Sequence, residues 1–575
     1  MSSDKIKRIK LRFKDMQSNK SVWNDHYQTI GEFVMTRKQQ FTTTITPGEF
    51  LNRELFDSTG PSANMSSSSI LLGMLWPNGA ESFRFVAPKG VDNTLAEVKE
   101  YFEKITETQT DIMDNPKARL GVALGEYMPD QTGFGTSGVA IFEQDILGEP
   151  PIRYEAWDVK TMYLDEGPDG SIDTIYNYKS MTIRSLVKEY GIENISATSR
   201  DAFTKGDAER KVDVLHAIET RIDRERTKFG NKAMPIASIH IEFNDEKILR
   251  ESGFEEMPVA VARFFKAMKE VYGRSFAMNA LPDIIEANVI KEAITIAIEK
   301  QMDPPLAVLD DGRLGGGVID TSAGALNVFN PSGRISSADK MIFPVFTVGE
   351  LKSAQQLLID IQNSIMNAFF LDRLLDLNNE TRMTLGEAQI RNKIRGDSLG
   401  PIFSRQTTEL FTPLINRTFN ILLKQGLMGV VAGSPEELVL LEQGIEPMYI
   451  PDIIVQRMVE GKEAYTIQYI SPAARVLKSE EVTGILSTFD FALQNVSIKA
   501  DMIDNIDADE AIKMYAELVG APTKLLKIKE QVEAIRDSRN QIAEEREQLD
   551  NAREQSEIVR NIGQGQASIQ GQNSK

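Results

Sequence analysis

The sequence predicts an α+β fold that is predominantly helical. Apolar residues recur at helical spacing near the start, through the middle and at the end of the chain, whereas alternating strand patterns are confined mainly to residues 139–243. A matched pair of long helical patterns also brackets a glycine-rich stretch at 304–346 that holds only short β-like runs.

In chain order, Ile6, Ile9, Phe13 and Met16 make a helix of the first thirty-odd residues. Lys5, Lys7, Arg8, Lys10, Arg12 and Lys14 stand between them, and a solvated or subunit-facing surface is favoured over a nucleic-acid or membrane face. "GFGTSG", Gly133 to Gly138, then fits the glycine fingerprint of a dinucleotide loop, with Asp158 about where a ribose partner is expected. That fingerprint works only where an apolar strand runs into the first glycine and a helix starts at the last, because the helix N-terminal amides hold the pyrophosphate. Here "EYMPDQT" precedes and "VAIFEQDIL" follows, so the order is helix, glycine loop, strand, the reverse of what is required. The motif is read as a turn feeding a strand, with a nucleotide-binding enzyme as a minor alternative.

Strands continue to about Ser180, with "DEGPDGS" as a turn; a short helix runs from Thr182 to a stop at Gly191, and "VDVLHAIETRI" and "ASIHIEFN" read as further strands. A long helix follows, with Pro282 in its first turn and a stop at "DPP", Asp303 to Pro305. Its match begins at a capping box, Thr347 and Glu350, and carries Leu351, Ala354, Leu357, Leu358, Ile361, Ile365 and Phe369. Two such helices around a small module suggest a stalk carrying a knob; two core helices joined by a long loop are the plainer alternative. Thr384 and Glu387 form another capping box, with Arg391, Lys393 and Arg395 clustered beyond it. A helix from about Pro401 to Gly426 contains Pro413 and should kink there. "NIDADEAIKMYAELVGAP" is a capped helix ended by Gly520 and Pro522. The last helix repeats Ile528, Ile535, Ile542 and Leu549 every seven residues, a narrow stripe suited to contact between neighbouring helices, and residues 563–575 read as a flexible tail.

Composition narrows the function. The chain has 575 residues, 41% hydrophobic and 26% charged, which is ordinary globular make-up with room for several domains. The absence of cysteine excludes disulfides, thiolate metal sites and a cysteine nucleophile, and it suits a reducing compartment. His26, His216 and His240 are the three histidines, and no pair has metalloprotease spacing. No window of eighteen apolar residues occurs and the basic N-terminus lacks a signal-peptide core, so a soluble, unexported protein is expected. A net charge of −19 argues against tight wrapping of DNA, yet an acidic wall would let DNA slide past without sticking. No phosphate-binding GxxxxGK[ST] loop, GxSxG elbow or EF-hand loop is present, so no cofactor, no metal and no catalytic residues are expected. Asp310 and Asp311 lie in a glycine-rich loop and read as a solvated turn.

Several longer stretches carry a likeness. "LFDSTGPSANMSSSSILLGMLWPNGAESFRF", "MPVAVARFFKAMKEVYGRSFAMNALPDIIEANVIKEA", "DPPLAVLDDG", "RMTLGEAQIRNKIRGDSLGPIFSRQTTELFTPLINR" and "DADEAIKMYAELVGAP" stand in that order. This ordered set resembles the head-to-tail connector, or portal, proteins of short-tailed, T7-like bacteriophages. The resemblance implies the portal fold and a ring of twelve subunits at one capsid vertex, through which double-stranded DNA is packaged and ejected. It divides the chain into a wing at 1–280, stem helices at 281–303 and 347–370 and a clip at 304–346. A tunnel loop with long kinked helices at 371–430, a return to the wing at 431–480, crown helices at 481–562 and the tail complete it. It places Arg382, Arg391, Lys393 and Arg395 either near DNA or in salt bridges between neighbouring subunits, and Asp310, Asp311, Arg313 and Arg334 on the clip. Implied partners are a terminase large subunit that supplies the ATPase, head-tail adaptor and tail proteins, and major capsid and scaffolding proteins. A generic coiled-coil scaffold is the main alternative.

Overall fold

The structure is a computed structural model. It describes all residues except 1, 47, 52–53, 78, 92–94, 145, 147, 225–229, 310–318, 330–341, 346–348, 373–395, 397–398, 443–445, 496–505, 522–524, 528 and 573–575. The chain divides into two compact units, one of residues 1–82, 109–425 and 471–477, the other of 83–108, 426–470 and 478–575.

In the first unit, α1 (Ser2–Phe33) lies on a five-stranded antiparallel sheet of order β4-β5-β6-β7-β8, formed by Met162–Glu166, Ile172–Thr182, Lys211–Thr220, Ile236–Glu242 and Lys247–Phe254. Ile6, Ile9, Phe13 and Met16 are buried against Tyr176, Leu215, Ala217, Ile239 and Ile241, so the helical spacing read from the sequence is the core-facing stripe. Four of the six basic residues between them are paired with acidic residues of the sheet and its turns, whereas Lys7 and Lys14 stay exposed as the solvated reading expects. Lys5 donates to Glu251 at 2.7 Å, Lys10 to Glu246 at 2.8 Å, Arg12 to Asp165 at 2.9 Å, and both Arg8 and Arg12 bond Glu219. The reason is Glu219 itself, 1% exposed, whose charge cannot be left in the sheet without cations beside it.

The other face of the sheet is covered by α5 (Ile183–Tyr190) and α6 (Ala197–Thr204). The predicted ends of α5 are observed: Thr182 Oγ1 accepts from the Ser185 amide and Gly191 closes the helix at φ +82°. A second sheet, β3-β2-β9, is built from Ile152–Trp157, Thr136–Glu143 and Val259–Arg263, with β2 in the centre and both pairings antiparallel. It is fed by α4 (Leu120–Phe134), and α2 (Thr59–Leu75) packs beside α4.

The second unit holds β1 (Phe83–Val86), paired antiparallel with β13 (Thr466–Tyr469), and the part of α3 (Ala96–Asp114) up to Thr108. Tyr101 of α3 donates to the Met428 carbonyl at 3.1 Å. Near the end of the chain, α14 (Ala508–Val519) is capped by Asp507, whose Oδ1 accepts from the amides of Asp509 and Glu510 at 3.1 and 3.0 Å, and it stops at Gly520, as its sequence predicts. The last helix, α15 (Lys529–Gln572), runs through the glycines at 563 and 565 into the stretch expected to be a tail. Gln564 between those glycines, and Gln566, Ala567 and Ser568 after them, carry helix propensity enough to prolong an existing helix, whose costly nucleus is already made.

Candidate functional site

The feature that distinguishes this chain from an ordinary α+β domain is its helix pair. α7 (Phe276–Met302) and α8 (Lys352–Ala368) pack along one another, with the chain between them folded as β10 (Leu306–Leu309), β11 (Leu326–Phe329) and β12 (Ile342–Pro344). The pair is antiparallel: the start of α7 meets the end of α8, where Phe276 stacks on Phe370 at 5.0 Å and Ser364 donates to Asp283 at 2.7 Å. Leu358, Ile361 and Ile365 of α8 and Ile284, Ala287 and Ile294 of α7 supply its buried side.

Both helices start elsewhere than predicted. Ser275 Oγ caps α7 by accepting from the Met278 amide at 3.1 Å while its hydroxyl reaches the Gly133 carbonyl at 2.7 Å, so Pro282 sits inside the helix and not in its first turn. α8 starts at Lys352, preceded by Leu351, which makes no side-chain cap, beyond the expected Thr347 and Glu350 box; Thr347 lies outside the described residues. Asn288 fixes the pair to the chain entering α2: its Oδ1 accepts from the amides of Phe56 and Asp57 at 2.7 and 2.9 Å, and Nδ2 donates to the Glu54 carbonyl at 3.0 Å. Gln362 of α8 reaches the same loop at Asp57, at 2.7 Å.

The module at the end of the pair is a three-stranded sheet of order β11-β10-β12, parallel between β10 and β11 and antiparallel between β10 and β12. It returns the chain to the helix pair through backbone bonds from Gly324 to Asp303 at 2.9 Å and from Val345 to Pro305 at 2.8 Å. Ile342, Phe343 and Pro344 on its edge are all exposed. Large apolar side chains also point outward from the helices: Val289, Ile296 and Met302 on α7 and Leu357, Ile359 and Met366 on α8, from 37% to 82% exposed.

"GFGTSG" is resolved as the turn its context predicts. Gly135 caps α4 in the left-handed region at φ +79°, its amide donating to the carbonyls of Asp130 and Gln131, and the chain enters β2 at once. A Cβ at Gly135 would overlap the Gly273 carbonyl oxygen, so the glycine serves a close backbone crossing. The loop faces a helix C-terminus, the wrong end of the dipole for a pyrophosphate.

Buried charge nearby is held by local chemistry. Lys20 of α1 is wholly buried, its Nζ donating to the carbonyls of Val159, Lys160 and Met162 at 2.5, 2.9 and 2.7 Å and sitting 4.3 Å from the Tyr163 ring centroid; burial lowers its pKa to about 7. Asp130 is 2% exposed and bonded to Lys38 at 2.6 and 2.9 Å, and burial raises its carboxyl to about 7 against the pull of Lys38. His216 and His240 face each other across β6 and β7 with ring centroids 3.8 Å apart; burial and the Arg250 charge lower His216 to about 3 and hold His240 well below its ordinary value. Among the described residues no group of acidic, histidine or cysteine side chains is placed to hold a metal ion. The tunnel candidates Arg382, Arg391, Lys393 and Arg395 and the clip candidates Asp310, Asp311, Arg313 and Arg334 lie outside the described residues. The long helix predicted from Pro401 is seen as residues 399–406, a π-turn at Thr407–Phe411 and α9 (Thr412–Lys424), so the break falls immediately before Pro413.

The sequence has relatives. The sequence matches the bacteriophage head to tail connecting protein family over residues 6–526. The chain belongs to that family. It is 26% identical over 553 residues to the portal protein of Salmonella phage epsilon15, covering 94% of this chain and 92% of the relative. It is also 24% identical over 541 residues to the probable portal protein of Bordetella phage BPP-1, covering 92% and 90%.

Proposed function

We propose that copies of this connector chain close into a dodecameric portal ring at one vertex of the phage head and form the channel through which double-stranded DNA enters and leaves. The observation that carries this reading is membership of the connector family across nearly the whole chain. The outward apolar side chains of α7 and α8 support it, because a closed ring uses two different patches of each subunit, one against each neighbour. In this reading α7 and α8 are the stem, the β10–β12 module is the clip facing terminase and the tail adaptor, and the helices after about 480 form the crown inside the head. Capsid and scaffolding proteins meet the ring's outer surface during assembly, and the finished ring is a virion component.

Channel function is passive. The acidic balance of −19 per chain keeps DNA mobile, and Arg382, Arg391, Lys393 and Arg395 approach it at the constriction. Asp310, Asp311, Arg313 and Arg334 belong to the clip face. Negative-stain electron microscopy with mass photometry tests the ring: particles with a central hole and a mass near twelve times 64.3 kDa are expected. Compact monomers or extended dimers across several salt concentrations would refute it. Charge reversal at Arg382 that leaves packaging and DNA retention intact would remove that residue from the constriction.

A further inference from the structure

The second unit carries a surface that the helix pair does not account for. Val430 lies beside residues 448–450: its amide donates to the Met448 carbonyl at 2.8 Å, and its carbonyl accepts from the Ile450 amide at 3.1 Å. The chain then turns at Gly433, φ +80°, into a short helix, α10 (Pro435–Glu442). Glu437 fixes that helix in place, because its carboxylate accepts from the Gly433 amide at 2.6 Å and from Tyr449 Oη at 2.8 Å.

This arrangement sorts the hydrophobic residues of the segment into two sets. Val430, Ile450 and Ile454 are inside, each 6% exposed or less. Val431, Leu438, Leu441 and Tyr449 are outside, between 41% and 63% exposed. Leu438 and Leu441 stand one helical turn apart and Leu441 is four residues after Glu437, so the bond from Tyr449 to Glu437 brings the tyrosine to the helix that carries both leucines. Val431 follows the residue that Tyr449 is bridged to. The segment has its core already, and the outer set is a contiguous apolar surface of the kind that marks an interaction site.

Charge decides what fits it. Residues 431–463 hold seven acidic side chains and two basic ones, a net charge of −5. Glu442, Glu446 and Asp452 are exposed within three residues of Leu441 or Tyr449. Both basic residues are engaged locally, Arg457 with the Glu463 carbonyl at 3.0 Å and Lys462 with Glu460 at 2.7 Å. A partner that buries the four hydrophobic residues therefore meets an acidic rim, and a second copy of a chain that itself carries −19 is a poor match for it. The backbone narrows the shape of the partner. Val430 and Tyr449 form an isolated bridge and no strand, so an extended peptide finds no sheet edge to join here, and recognition falls to side chains, as it does for a helix laid on an apolar surface.

We propose that the outer face of α10 with Val431 and Tyr449 is a docking site for a basic amphipathic helix of another protein, its apolar side on Leu438 and Leu441 and its Lys or Arg residues toward Glu442, Glu446 and Asp452. The site is read from a single chain and does not rest on the ring.

The probe is a fluorescently labelled synthetic Leu–Lys amphipathic helix of about five turns, titrated into the full-length protein, with a Leu–Glu peptide of the same pattern as the charge control. The Leu–Lys peptide is expected to bind and to slow hydrogen exchange at 433–455. Leu438→Gln with Leu441→Gln, and separately Glu442→Lys with Glu446→Lys, are each expected to weaken binding at least about tenfold, the size of effect that central contacts carry. All four residues are exposed, and unchanged far-ultraviolet circular dichroism checks that the variants fold. Ile535→Gln with Ile542→Gln, on the equally open stripe of α15, is expected to leave binding unchanged. Equal binding to the leucine variant, equal binding of the Leu–Glu peptide, or exchange slowed only outside 433–455 would overturn the proposal. So would a larger assembly that the leucine variant loses while the peptide fails to bind, since the surface would then belong to a second copy. Mass photometry on the same samples reads ring formation separately, so failure of the docking site and failure of the ring are distinguishable.

Discussion

Lys20 shows how one residue can hold a wall together. Its ammonium supplies the donors for three carbonyls in the 159–162 segment. Lys20→Met keeps most of the stem and removes every donor, so it should destabilise the first unit by about 2–4 kcal/mol, read as a lower urea midpoint at unchanged m-value. A change below about 0.5 kcal/mol would mean that the carbonyls find other donors. The His216 and His240 pair makes a second residue-scale prediction. Both are held neutral in the fold with pKa values below their unfolded 6.5, so the unfolded chain binds more protons below that pH. Their stabilising contribution is complete above 6.5 and falls as pH drops from there toward about 3 for His216, by about 1.4 kcal/mol per unit for each histidine. Denaturant midpoints between pH 7.5 and 4.5 should therefore decline less steeply in His216→Gln than in the unmutated chain. Equal slopes would show that carboxylates alone set the acid limit.

At the scale of elements, the turn after α4 separates the structural from the nucleotide-binding reading. Gly135→Ala places a Cβ against the Gly273 carbonyl at a positive φ, which should cost about 3 kcal/mol or more. Millimolar nucleotide should not raise the melting temperature of the unmutated chain, whereas a raised one would restore the binding loop. What the sequence made legible here follows from locality. The Thr182 cap and Gly191 stop, the Asp507 cap and Gly520 stop, and the helix–glycine–strand order of Gly133 to Gly138 are each set by residues next to the boundary they mark, and each is observed. Ser275 was hidden because it lacks the glutamate of a capping box, while Pro282 and Thr347 imitated helix starts more strongly than the true ones. The ion pairs of Lys5, Arg8, Lys10 and Arg12 were not legible because the partners Asp165, Glu219, Glu246 and Glu251 come from strands and turns far along the chain. Pro413 announced a kink; the π-turn lies just before it, and the bonds from Arg263 to Glu409 within it come from a strand far back in the chain. None of the eight charged positions chosen for tunnel and clip lies in the described part of the chain, so that choice rests on the family likeness.

For the whole molecule, the decisive quantity is how the apolar surface of α7 and α8 competes with charge. Each copy carries −19, so bringing copies together is opposed by long-range repulsion that salt screens within about 10 Å at 0.1 M. The attraction comes from short-range burial of Val289, Ile296, Leu357, Ile359 and their neighbours, which salt does not weaken. Ring formation should therefore rise between about 20 and 300 mM salt, opposite in sign to an assembly held by ion pairs. Ile296→Asp with Ile359→Asp should hold the chain at a single-copy mass of 64.3 kDa at every salt concentration, with unchanged far-ultraviolet circular dichroism. Because both residues are already exposed, 44% and 48%, the fold itself should lose no more than about 0.5 kcal/mol. Rings that form normally in this double variant would move the subunit contact away from the helix pair. The exposed stripe Ile535, Ile542 and Leu549 of α15 would then be the next surface to test, since a seven-residue apolar repeat on a lone helix is satisfied only by a neighbouring helix.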